Sequence, residues 1–190
     1  MKSKIRKSNY FEKIKLLILC FGAFSLIFAF ASANPPYTSS FPPTKGGEWI
    51  KYFSKPGNVE ILFPVKYETN FQETTDGKVT TVTANNGDTK YLLIWTILKD
   101  KAPTDYEASK SAMTKFKDSY KGNIKEEDKF KHKKSVGVKA IILIPDKNIT
   151  LNYKVIIVNK IMYQVAVFSP TASINKKDLG KFIKSFEITD

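Results

Sequence analysis

The chain of 190 residues holds one cysteine, Cys20, and one histidine, His132. That scarcity narrows the choice of fold and chemistry more than any other feature. A disulfide framework needs at least two cysteines, so no covalent staple can hold a loop-rich scaffold together. A structural zinc site takes about four Cys or His ligands, more than the chain owns. Cys–His catalysis has only the single copy of each to draw on. The fold must rest on an apolar core, and a chain of about 150 residues can build one, burying roughly 70% of its unfolded surface.

Cys20 lies in a segment of its own. Residues 1–15 are basic, with Lys2, Lys4, Arg6, Lys7, Lys13 and Lys15 against Glu12. Residues 16–33 carry no charge and end in Ala31-Ser32-Ala33, followed by Asn34-Pro35-Pro36. A basic stretch, an apolar stretch and small residues before the junction are the parts of a secretory signal peptide, here 1–33, with Ala31, Ala33 and Asn34 marking cleavage. The alternative is an uncleaved N-terminal anchor, since this run is at the lower length limit of a membrane span. Both readings place residues 34–190 outside the cytoplasm, secreted or periplasmic. Lipid attachment at Cys20 fits poorly: Leu19 is large, and the apolar run continues well past it.

Residues 34–47, rich in Pro, Ser, Thr and Gly, read as an extended linker. A single domain is expected over 48–190. Lysine is dense throughout it, within a net charge of +13 for the whole chain, and Arg6 is the only arginine. The exported part therefore lacks the residue that chiefly makes bidentate contacts to phosphate, carboxylate or guanine, and lysine offers only a point charge.

The elements follow from periodicity. Val59, Ile61 and Phe63 alternate as on a strand. Asp76-Gly77 and Asn86-Gly87 signal hairpins. The apolar run Thr89 to Lys99 predicts a central strand covered on both faces. Thr104-x-x-Glu107 is a capping box opening a helix of about 17 residues with Tyr106, Met113, Phe116 and Tyr120 on its apolar side, stopped by Gly122. Four strand-like runs follow, from Phe130, Val136, Ile149 and Ile161. Asn175 then caps a last helix carrying Leu179, Phe182, Ile183 and Phe186. Strands, helix, strands, helix make an α+β domain with a largely antiparallel sheet packed against helices.

Trp49-x-x-Tyr52 with Gly57-Asn58-Val59-Glu60-Ile61-Leu62-Phe63-Pro64 resembles the G-x-F-S-V-x-F-P opening of PsbP-like domains. Ile161-Met162-Tyr163-Gln164-Val165-Ala166-Val167 is similar to their R-x-Y-x-L-x-V strand, and Phe182 to Ile188 to their closing F-L-x-S-F-x-L. The order and spacing of these segments carry the resemblance over about residues 47–189. It departs where Lys160 stands in place of the common Arg and Val59 in place of Phe. The resemblance implies an α-β-α sandwich and a protein that binds other proteins without being an enzyme. It carries over no metal- or partner-binding residue.

The candidate sites are few. His132 sits in Lys129-Phe130-Lys131-His132-Lys133-Lys134, without a nucleophile-elbow motif anywhere in the chain, so it reads as an exposed residue. Residues 115–139 hold nine lysines against four acids. Lys129, Lys131, His132, Lys133 and Lys134 are the candidate basic face for an anionic surface, set against a simple solvated loop. Glu126-Glu127-Asp128 lacks the alternation of a calcium loop and reads as charge balance. Trp49, Tyr52, Phe53 and Trp95 are a candidate aromatic platform, with burial in the core as the commoner fate. No catalytic residue, metal or cofactor is expected, and no nucleic acid. Membrane contact is expected only through residues 16–33 if they stay attached. The expected function is that of an exported, non-enzymatic binding or accessory protein of the cell envelope, its partner another envelope protein. The alternative is a carrier or sensor for a small ligand in a pocket between sheet and helix.

Overall fold

The computed structural model describes residues 48–100 and 102–189. The expected signal segment 1–33 with Cys20, Ala31, Ala33 and Asn34, and the expected linker 34–47, lie outside them. Among the described residues no helix is long and apolar enough to cross a membrane.

Among the described residues, ten strands and two α-helices make an α+β fold. The chain opens with β1 (Ile50–Ser54) and β2 (Val59–Phe63), then β3 (Glu68–Thr74), β4 (Gly77–Asn86) and β5 (Thr89–Leu98). Helix α1 (Tyr106–Ser119) leads to β6 (Asn123–His132), β7 (Ser135–Ile144), β8 (Ile149–Val158) and β9 (Ile161–Pro170). Helix α2 (Lys176–Lys184) and the short β10 (Glu187–Ile188) close the chain. Seven strands form one antiparallel sheet in the order β3-β4-β5-β9-β8-β7-β6. The other three form a separate small sheet, β1-β2-β10.

The central strands explain the layering. Along β5, Leu92, Ile94 and Leu98 face one core, while Tyr91, Leu93 and Trp95 face another. Both faces are therefore apolar, as the unbroken run predicts, and each needs a cover. Helix α1 covers the first face, laying Met113 and Phe116 against β7 and β8, with Phe116 stacked 4.4 Å from the Tyr153 ring. The small sheet and α2 together cover the second face. The apolar side of β2 (Val59, Ile61, Phe63) lies against it, and Phe182 of α2 is fully buried between Phe63 and Tyr91. The sandwich thus has a mixed outer layer on one side, part sheet and part helix.

Local details depart from the sequence reading in physically clear ways. The α1 cap is Asp105, whose side chain accepts from the Ala108 N–H at 2.9 Å, and not Thr104. Thr104 stays outside the helix because its carbonyl accepts from the Val136 N–H at 3.0 Å. Past the helix, Lys121 takes the left-handed conformation expected of Gly122. Gly122 serves close packing instead: a Cβ there would lie 2.4 Å from Ile142 Cγ2. Strand β6 begins at Asn123, seven residues before the apolar signal at Phe130. Its polar start is that of an edge strand, paired among the described residues only to β7 and bulged between Ile124 and Glu126.

Candidate functional site

The pleat of β6 sorts the charged segment. Successive side chains of a strand point to opposite faces. Glu127, Lys129 and Lys131 pair with Ala140, Val138 and Val136 on the α1 side, whereas Asp128, Phe130 and His132 pair with Lys139, Gly137 and Ser135 on the α2 side. Lys133 and Lys134 form the turn between β6 and β7, with Lys133 in the left-handed conformation. The five residues of the candidate basic face are thus divided between two faces and a turn. Lys129 is also occupied, its Nζ 3.9 Å from the Tyr106 ring centre. His132 is half-buried, not exposed, and its Nε2 is shut from solvent with no hydrogen-bond partner among the described residues.

The three adjacent acids are separated in the same way. Glu127 accepts from the Tyr106 hydroxyl and pairs with Lys110 at 3.1 Å, tying α1 to β6. The Tyr106 hydrogen bond holds the Glu127 carboxyl below its ordinary value, against the desolvation that would raise it, with Lys110 and Lys129 assisting. Asp128 faces the other way and pairs with Lys139 at 3.3 Å. Among the described residues no three His, Cys, Asp or Glu side chains gather as metal ligands would. The aromatic group also splits. Trp95 and Tyr52 are buried and joined by an Nε1–H bond of 3.0 Å to the tyrosine oxygen, while Trp49 is half-buried beneath Lys181 and Phe53 is exposed.

A concave surface among the described residues lies elsewhere. On the α2 side the outer layer stops short: among the described residues, β7 gives none to the second core. Parts of β6 and β7, the first half of β8 and the flank of α2 line a groove of about 390 Å³. Its strand side presents Glu126, Asp128, Phe130, Lys139, Ile141, Asn152 and Lys154, and its helix side Leu179, Gly180 and Ile183 with Lys184. The helix wall is fixed by Phe182 below and by Ser185, whose Oγ accepts from the Leu62 N–H at 3.0 Å. At its start, Asn175 Oδ1 accepts from the N–H groups of Lys177 and Asp178, both at 3.1 Å.

Lys154 is the unusual group here. Its Nζ lies 4.4 Å from the Phe130 ring centre and 5.3 Å from that of Phe186. Burial first, and Lys139 second, lower its amine below the ordinary value, and no carboxylate among the described residues offsets them. The sequence signal for it is faint: a lysine in the middle of the apolar strand Ile149–Val158. Gly180 is the second such group. It occupies the middle of α2, where a glycine costs roughly 0.5–1 kcal/mol relative to alanine, and a Cβ there would meet nothing within 4 Å.

No protein-family model matches the chain, and no curated protein matches it in sequence. Among solved structures, the fold is similar to that of cyanobacterial PsbP (CyanoP) from Synechocystis sp. PCC 6803, determined in solution. The two share 12% identity with a TM-score of 0.55, and the match covers 80% of this chain and 98% of that one. The domain therefore has a PsbP-like fold, as the resemblance of its opening and closing segments implied.

Proposed function

We propose that this protein is a non-enzymatic binding protein working outside the cytoplasm, as an accessory of the cell envelope, and that the α2 groove is where it binds. The observation that carries the reading is the groove itself. It lies between sheet and helix, has apolar walls with a few charged groups converging on it, and falls within the roughly 300–1,000 Å³ range of small-molecule sites. The basic, apolar N-terminal segment and its Ala31-Ser32-Ala33 end support the location.

The test is native mass spectrometry of the protein purified from its own host, beside the Gly180→Leu variant, whose side chain projects into the groove. A bound mass present in the wild type and lost in the variant supports the reading. A bound mass that persists in the variant overturns the groove as the site, and turnover of the bound molecule overturns the non-enzymatic assignment.

A second reading is a protein partner that adds a strand to β3. All seven residues of this edge strand except Thr74 are exposed, and Phe71 is 72% exposed. A free strand edge offers unpaired backbone groups to another chain. In the same purification, this reading expects a stoichiometric protein that is lost on Phe71→Lys and kept on Gly180→Leu.

A further inference from the structure

We infer that the α2 groove takes a small amphipathic anion, one singly charged acidic group on an apolar body, with the Lys154 ammonium as its anchor. The inference rests on the groove being the binding site and names what it selects.

Of the groove's carboxylates, Asp128 is engaged by Lys139 at 3.3 Å and Glu126 by Lys125 at 4.0 Å, and among the described residues none offsets the burial of Lys154. A cation half out of water is costly unless paired, and an incoming anion supplies the missing partner in a charge-assisted hydrogen bond. The rings of Phe130 and Phe186 hold the amine in place from their faces. Residues 34–190 contain no arginine, so no planar fork meets a phosphate, and a lysine point charge suits a single acidic group.

The apolar body follows from the walls. Ile141, Leu179 and Ile183 line the groove. Gly180 has no neighbour that requires a glycine, and its missing side chain leaves the helix wall open to an occupant. At the groove an extended peptide would find free backbone only along the β6 edge, since β7 and β8 are each paired on both sides.

The test is titration of the ¹⁵N-labelled chain from Asn34 onward, which keeps every element described. The probes are decanoate, decyltrimethylammonium and decan-1-ol, each below its micellar or solubility limit, and a hexaglutamate peptide. Decanoate is expected to shift the amides of Ile141, Lys154 and Ile183 and to bind at least about tenfold more tightly than the other two decyl probes, the value of one charge-assisted contact. Lys154→Met is expected to remove that preference and Lys154→Arg to retain it, with shift dispersion reporting that each variant is folded. Equal binding of all three decyl probes overturns the anion preference and leaves the groove as a site. Decanoate shifts confined to residues outside the groove overturn the inference, as does a response to hexaglutamate with none to decanoate. The comparison among decyl probes uses the wild-type chain alone, so it stands even where a variant fails to fold.

Discussion

Gly180→Ala is expected to stabilise the protein. The residue is fifth of nine in α2, far enough from both ends for the full difference in helix propensity to apply. Alanine is favoured over glycine in a helix interior by about 0.8–1 kcal/mol, through a smaller loss of backbone freedom on folding. The new methyl meets no heavy atom within 4 Å, so neither a clash nor a packing gain alters that figure. For a domain of this size, a gain of about 1 kcal/mol raises the melting temperature by roughly 3–5 °C. Urea unfolding followed by circular dichroism should show a higher midpoint at unchanged slope. The same substitution at Gly137 supplies the contrast. A Cβ there would lie 2.5 Å from the Phe130 ring and 2.6 Å from the Val155 carbonyl oxygen. Overpacking of that kind costs about 1–3 kcal/mol. Two glycine-to-alanine changes of opposite sign are therefore expected. A destabilised Gly180→Ala would refute the claim that this glycine has no packing role and exists to keep the helix wall open.

Tyr52→Phe removes the oxygen that accepts the Trp95 indole N–H and leaves a buried donor unpaired; a loss of about 1–3 kcal/mol in urea unfolding is expected. Asn175→Ala removes the acceptor for two N–H groups at the start of α2, and the loss is expected to be about 1 kcal/mol. Burial raises the Tyr91 hydroxyl from its ordinary value of 10.0 to about 12, and pushes those of Tyr120, Tyr153 and Tyr163 up as well. The folded state thus favours the neutral phenol. That contribution is complete below pH 10.0 and is lost as pH rises through about 12, so a urea-midpoint series should fall steeply across this window. A flat profile would contradict it.

The sequence carried most of the fold because its signals are local. Alternation in β2, glycine-bearing turns before β4 and β5, and the stripes of α1 and α2 each arise within one element. Two features depend on what lies opposite and were less legible. β6 is polar at its start because it is an edge, and polarity without an apolar face reads as loop. The cap of α1 moved by one residue because the Thr104 carbonyl bonds to Val136, a partner far along the chain. The groove was harder still. The lysine cluster drew notice as a run along the chain, whereas the pleat divides it. The concave surface arises from side chains on four separate elements, of which Lys154 and Gly180 differ from their neighbours only in being a charge in an apolar strand and a glycine in a helix.

Site-specific photocross-linking in the native host shows whether the α2 groove is where the protein binds. A benzophenone side chain is placed in turn at Ile183 on the groove wall, at exposed Phe71 on β3, and at exposed Lys55 as a reference. One saturable adduct is expected from the probe at Ile183, well above the reference and suppressed by Gly180→Leu. A dominant adduct from Phe71, or none above the reference from Ile183, would contradict it.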